Sequence, residues 1–193
     1  FRLRQEQKIC DSSYFVTLTY KDVPLSGNNL PTLCPKDCKL YMDRLRVSMK
    51  RGGLPSPLRY YLVGEYGDQY ERPHYHAIIM NSTPDYIVEN WTAGIVHLGS
   101  VTTDSIAYCV KYLDKGRKVP KHARDDRVKE FSRMSRNLGA NYLTPEMIRW
   151  HREDLSRNYI QDGKFKIALP KYYRDRIYNS TEMLAQRQLI LEN

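Results

Sequence analysis

Apolar and β-branched residues dominate the stretch YFVTLTY at 14–20, and that pattern predicts a strand. A loop rich in Pro, Gly and Asn follows, from Pro24 to Pro35. Across 36–50 the period changes. Leu40, Tyr41, Leu45 and Met49 recur near helical spacing, and Gly52-Gly53 closes the helix. RYYLVGEY (59–66) and PHYHAIIM (73–80) predict two more strands, joined as a hairpin with a modest loop. Thr83-Pro84 predicts an N-cap with proline in the first helical turn, opening a short helix that Gly94 closes. IVHLGSV (95–101) predicts a fourth strand, and TDSIAYCVKYLDK (103–115) a helix that stops at Gly116. Residues 14–116 thus read β-α-β-β-α-β-α.

The pattern fades after that. Residues 116–136 are strongly basic with little apolar periodicity, which suits either a loop facing nucleic acid or a solvated linker. Thr144-Pro145 predicts a helix running to about Tyr159, Asp162-Gly163 a tight turn, and the tail from Tyr172 a polar helix. We divide the chain into a core over 1–116 and a basic loop with a C-terminal extension over 117–193, packed as one domain. Phe1 in place of Met leads us to expect an excised or truncated segment with further sequence upstream.

Composition adds a partner class. The 193 residues carry 31 Lys and Arg against 22 Asp and Glu, a formal charge of +9, and such an excess favours a polyanion, most simply nucleic acid. No apolar run approaches membrane-spanning length, so no membrane partner is expected. Cys10, Cys34, Cys38 and Cys109 form no disulfide framework, and Cys34-x₃-Cys38 lacks the two further soft ligands that zinc would want. Free thiols are the plain reading. Sixteen tyrosines supply packing, stacking surfaces and phenol nucleophiles, with most expected to pack.

Two clusters carry chemistry. Residues i and i+2 of a strand share a face, so His74 and His76 project in parallel while Tyr75 points the other way. Glu65 ends the preceding strand, and an antiparallel hairpin brings it beside the two imidazoles. Two histidines with a carboxylate suit Mg²⁺ or Mn²⁺ and leave positions open for phosphate oxygens, whereas the plainer role for Glu65 is pairing with Arg72. In YCVKYLDK (108–115), Tyr108 and Tyr112 lie four apart on one helix face with Lys111 and Lys115 beside them. A phenol attacks poorly at neutral pH unless a neighbouring ammonium or metal favours phenolate. The alternative is an amphipathic helix whose tyrosines fill core gaps. Trp91 and Trp150 read as core anchors, His122 and His151 as surface positions, and His97 as a residue that can approach the site from the fourth strand.

His74-Tyr75-His76 resembles the His-hydrophobic-His signature of the HUH endonucleases. YCVKYLDK resembles their two-tyrosine motif, FVTLTY (15–20) their first strand motif, and GEYG (64–67) the segment carrying their acidic metal ligand. With ERPHYHAII, FSRMSRNLG (131–139) and LPKYY (169–173), the ordered set is similar to the replication initiation proteins of small single-stranded DNA phages, the Microviridae, especially the gokushovirus branch. The resemblance covers about 14–173. It implies an α+β fold with a five-stranded antiparallel sheet flanked by helices. It also implies nicking of single-stranded or locally melted origin DNA, leaving a 5′-phosphotyrosine and a free 3′-OH. Carried over by position, His74, His76 and Glu65 are metal ligands, Tyr108 the nucleophile and Tyr112 the second nucleophile, with Lys111 orienting the phosphate. Arg72, Lys115, Arg117 and Lys118 are the candidate DNA-binding cations. Lys21 departs from the pattern, standing where many relatives carry an acid.

The expected function is therefore a Mg²⁺- or Mn²⁺-dependent strand transferase that starts rolling-circle replication, a monomer working in the cytoplasm of a bacterial host. No Walker motif is present, so a host helicase would have to open the strands. Two alternatives remain open: a plasmid relaxase or single-strand transposase of the same superfamily, and a non-enzymatic nucleic-acid-binding module that needs no metal and forms no covalent product.

Overall fold

The strands expected at 14–20, 59–66 and 73–80 and the helix expected at 36–50 are found in the computed structural model within a residue at each end. The structure describes residues 1–114 and 119–191, with side chains described through 110 and again from 119 to 189. In chain order the elements are α1 (Arg2–Gln7), β1 (Ser13–Thr19), α2 (Pro35–Arg51), β2 (Arg59–Tyr66), β3 (Pro73–Met80), α3 (Pro84–Glu89), β4 (Val96–Ser100), α4 (Thr103–Asp114) and β5 (Phe131–Met134). After a 3₁₀ turn at Ala140–Tyr142 come α5 (Pro145–Glu153), β6 (Tyr159–Asp162), β7 (Phe165–Ala168), α6 (Lys171–Ile177) and α7 (Ser180–Leu191). The chain divides into two compact units, Gln7–Leu138 and a smaller one made of Phe1–Glu6 with Gly139–Asn193.

The larger unit is an α+β fold on one five-stranded antiparallel sheet, in the order β4-β1-β3-β2-β5. β2 and β3 read as nearly continuous apolar runs because they lie inside the sheet with both faces covered. On one face Val16, Leu18, Leu62, Tyr75, Ala77 and Ile79 pack against Tyr41, Met42, Leu45 and Met49 of α2. The opposite face carries His74, His76, Glu65 and Thr17 beneath α4, as the register requires.

Tyr75, between the two histidines, does point away from them and is fully buried. Its oxygen accepts from the Cys34 N–H at 2.8 Å and lies 2.8 Å from the Tyr20 hydroxyl. Tyr20 donates to Asp37 at 2.8 Å, so Tyr75 is the donor to Tyr20. Burial pushes the Tyr75 phenol well above its ordinary pKa. This tyrosine is a core anchor, not a nucleophile. Gly64 is needed beside it, since a Cβ there would lie 3.1 Å from the Tyr75 ring and 3.0 Å from Phe131.

Several expectations need correction. The helix opened by Thr83 ends at Glu89, not at Gly94, because the Asn90 side chain caps the Tyr86 carbonyl (2.8 Å) and Trp91 turns inward to donate to the Thr19 carbonyl (2.9 Å). Gly94 instead lies against the edge of β1, where a Cβ would come within 2.1 Å of the Thr19 oxygen. The basic run is not wholly loop: Phe131–Met134 pairs with β2 as the fifth strand, and Arg127 is buried against Asp125 and Glu71. The helix opened by Thr144 stops at Glu153, since the Asp154 carboxylate accepts from the Ser156 N–H (2.9 Å) and starts a turn into β6.

In the smaller unit Ile160, Leu169, Tyr173, Ile177 and Tyr178 form the core, and Gly163 at φ +63° turns the β6–β7 hairpin. The tail is two helices, with Tyr173 and Ile177 of the first buried. His151 is not a surface residue. It is fully buried, with Nδ1 donating to the Arg157 carbonyl (2.8 Å) and Nε2 accepting from Tyr142 (2.9 Å), and burial holds its pKa below the usual value. Trp91 anchors the core as expected, while Trp150 is half-buried.

Replacing Tyr75 by Phe leaves the buried Cys34 N–H and Tyr20 hydroxyl short of a partner. It is expected to cost about 1–3 kcal/mol in urea denaturation. Metal binding at the opposite sheet face should be unchanged, because no atom of that face is altered.

Candidate metal centre and tyrosine

The pairing of β2 with β3 sets Glu65 directly opposite His74, and His76 opposite Val63 one row away. Both imidazoles reach the same carboxylate oxygen. His74 Nε2 lies 2.8 Å and His76 Nε2 3.0 Å from Glu65 Oε1. Tyr108, on α4, donates its hydroxyl to that same oxygen at 3.0 Å, and its ring meets His76 edge-on with centroids 4.9 Å apart. One carboxylate oxygen thus gathers both histidines and the first tyrosine of the helical pair.

Glu65 is 2% exposed. Burial alone would raise its pKa, but hydrogen bonds from His74 and His76 outweigh it and bring the carboxyl down to about 2. The second oxygen, Oε2, is buried and has no hydrogen-bond partner. An ionised carboxylate with one crowded and one bare buried oxygen is short of positive charge. A divalent cation would supply it. One carboxylate oxygen and two imidazole nitrogens, all within 4.8 Å of one another, are a donor set that could hold such an ion.

Partners on the far side of each ring support this fit. His74 Nδ1 lies 2.9 Å from the Arg72 carbonyl, which only accepts, so Nδ1 carries the proton and Nε2 faces Glu65. His76 Nδ1 lies 2.9 Å from the Thr17 hydroxyl. A hydroxyl can donate or accept, so Thr17 can partner either tautomer of His76, including the one that leaves Nε2 free for a cation. Phe15 stacks on the His76 ring, with centroids 5.4 Å apart and planes 7° from parallel. Thr17 and Phe15 were not singled out from sequence. Their signal was present: they alternate along β1 on the face that the pairing turns towards His76.

Other candidates are placed less directly. Arg72 does not pair with Glu65; its guanidinium donates to the Tyr20 carbonyl, and the residue is exposed beside the site. His97 pairs with Thr17 across β1 and β4, so it shares the site's face, two strands or about 10 Å from His76, and is exposed. Lys111 and Tyr112 fall on α4, but their side chains lie outside the described residues, as do Lys115, Arg117 and Lys118. No described helix is long and apolar enough to cross a membrane.

Comparison with known proteins settles the family. The model of the replication-associated protein ORF2 family matches residues 13–117, more than half of the chain, including all three candidate ligands and Tyr108. The chain belongs to this family. Among curated proteins it is 30% identical over 199 residues to the replication-associated protein VP4 of Bdellovibrio phage phiMH2K, covering 90% of this chain and 60% of that protein. It is 28% identical over 185 residues to the replication-associated protein ORF2 of Spiroplasma virus 4, covering 86% of this chain and 58% of that protein. The chain therefore spans under two thirds of the length of these two relatives. No solved structure matches it. In this member of the replication-associated protein family, β1, the β2–β3 hairpin and α4, which build the site, all fall inside the matched span.

The arrangement predicts Mn²⁺ binding measurable by calorimetry. Glu65→Gln and His76→Ala should abolish it. Thr17→Val should weaken it about tenfold or more and Thr17→Ser should restore it, as expected of a residue that orients a ligand. Equal Mn²⁺ affinity in all four variants would show that the cluster is not a metal centre.

Proposed function

We propose that this chain is the nuclease part of an HUH replication initiator: a metal-dependent, sequence-specific endonuclease and strand transferase that nicks single-stranded origin DNA to begin rolling-circle replication. The observation that carries the reading is the hydrogen bond from the Tyr108 hydroxyl to the carboxylate oxygen that His74 and His76 also share. A candidate nucleophile and a candidate metal centre meet at one atom. Family membership and the basic charge of +9 support a DNA partner.

In this reading Glu65, His74 and His76 hold Mg²⁺ or Mn²⁺, which when bound polarises the scissile phosphate and neutralises its charge. Tyr108 attacks. Its oxygen forms a bond to phosphorus while the bond from phosphorus to the 3′ oxygen breaks; the phenol gives up its proton and the departing 3′ oxygen gains one. The product is a 5′-phosphotyrosine with a free 3′-OH. Because the covalent link keeps the energy of the phosphodiester, a later 3′-OH can attack it and rejoin the strand. The Glu65 hydrogen bond orients the phenol, and the edge contact with His76 limits its rotation. Tyr112 is the second nucleophile for the next round, and Lys111 orients the phosphate. Arg72, Lys115, Arg117 and Lys118 contact the DNA backbone. A host helicase opens the duplex, in the cytoplasm of the infected bacterium.

The test incubates the protein with single-stranded oligonucleotides tiled across the origin region and Mn²⁺, followed by denaturing gels. A protein–DNA adduct is expected with wild type, absent in EDTA, in Tyr108→Phe and in His74→Ala. An adduct lost only in Tyr112→Phe would transfer the first attack to that residue. Tight binding with no adduct on any oligonucleotide would overturn the enzymatic reading in favour of a binding module.

A further inference from the structure

We propose that Tyr70 is a stacking platform for an unpaired base of the DNA strand whose phosphate sits at the Glu65–His74–His76 cluster. The proposal rests on the function proposed above and adds a binding residue to it. Tyr70 lies in the loop 67–72, which joins the strand ending beside Glu65 to the strand carrying both histidines. At 84% it is the most exposed large apolar side chain among the described residues. Most of this chain's described tyrosines are at least partly buried; this one is held out into solvent.

The loop that presents it is braced, not loose. Gly67 N–H donates to the Arg72 carbonyl and Glu71 N–H to the Gly67 carbonyl, each at 3.1 Å. The Glu71 carboxylate is gripped by Arg127 at 2.8 Å and by Lys121. Arg127 is itself buried and fixed by two hydrogen bonds to the two oxygens of Asp125, at 2.8 Å each. On the other side of Tyr70, Arg72 anchors its guanidinium on the Tyr20 carbonyl, and its own carbonyl accepts from His74 Nδ1. The loop thus bonds directly to a candidate metal ligand, so the ring is carried on the same frame as the site. A rigid aromatic held in advance loses little entropy when a planar partner lands on it.

The chemistry around the ring selects that partner. Its neighbours in the loop are Asp68, Gln69, Glu71 and Arg72, with no apolar patch of the size a protein interface buries. A single exposed phenol ring between polar residues matches the face of one base. Arg127 and Lys121 offset the Glu71 charge, so the loop does not present that carboxylate bare to a polyanion. Arg72 provides further N–H donors for a phosphate next to the stacked base.

The test measures fluorescence anisotropy of a labelled single-stranded oligonucleotide with the whole chain in EDTA, so that neither metal nor cleavage contributes. Tyr70→Ala is expected to weaken binding about five- to a hundredfold, the cost of one lost base stack. Tyr70→Phe and Tyr70→Trp should stay within about twofold of wild type, and a duplex of the same sequence should show no dependence on Tyr70. Wild-type affinity in Tyr70→Ala, or equal loss in Tyr70→Phe, overturns stacking. If wild type forms the covalent adduct while Tyr70→Ala binds normally, stacking alone fails. If single-strand binding depends on Tyr70 but no adduct forms, the nuclease reading fails and the stack stands. A wild type that binds no single strand overturns both.

Discussion

Everything at the candidate site depends on the register of β2 against β3. Glu65 faces His74 because the two strands pair residue for residue from Arg59 with Met80 to Tyr66 with Pro73. A slip of one residue would turn both imidazoles into the α2 core and expose Tyr75 in their place. Each such exchange is costly, since it would bury ionisable rings among apolar side chains and strip Tyr75 of its hydrogen bonds to Cys34 and Tyr20. The apolar face of the hairpin and the polar face therefore enforce the same alignment from opposite sides.

That alignment concentrates an electrostatic problem on one carboxylate. Burial disfavours the charge on Glu65, and the imidazole hydrogen bonds more than compensate. Three donors share one oxygen while the other stays bare, so the arrangement is organised around a negative charge with room for a positive one. The Arg72 carbonyl and the Thr17 hydroxyl fix the outer nitrogens of the two rings. These supports come from β1 and from the hairpin loop, so the centre is tied to the sheet on two sides.

The same logic extends outward. The loop 67–72 bonds to His74 through Arg72, to the segment after α4 through Glu71 and Arg127, and to the end of β1 through the Arg72 guanidinium. Part of the basic run therefore braces the hairpin internally instead of presenting all its charge to a partner. Arg127 illustrates the difference: in composition it counts towards the excess of positive charge, while in the fold it is buried and neutralised by Asp125 and Glu71.

The local sequence determined the strands and helices of residues 14–114 and the split of His74 and His76 from Tyr75, because strand periodicity assigns faces without reference to anything distant. It also pointed to Glu65, since a hairpin is a local pairing. It misjudged elements whose limits are set by contacts far along the chain. Phe131–Met134 is a strand only because the β2 edge is there to pair with it, and α3 stops early because Trp91 finds the Thr19 carbonyl. His151 is polar by type yet buried, because Tyr142 and the Arg157 carbonyl satisfy both ring nitrogens. Only the tertiary structure decided that Tyr108, 43 residues from Glu65, shares its oxygen, and that Thr17 and Phe15 back His76. A repeating pattern fixes which way a side chain faces, but which distant group it meets depends on how strands pair and helices cross, and one sequence does not encode that in any local period.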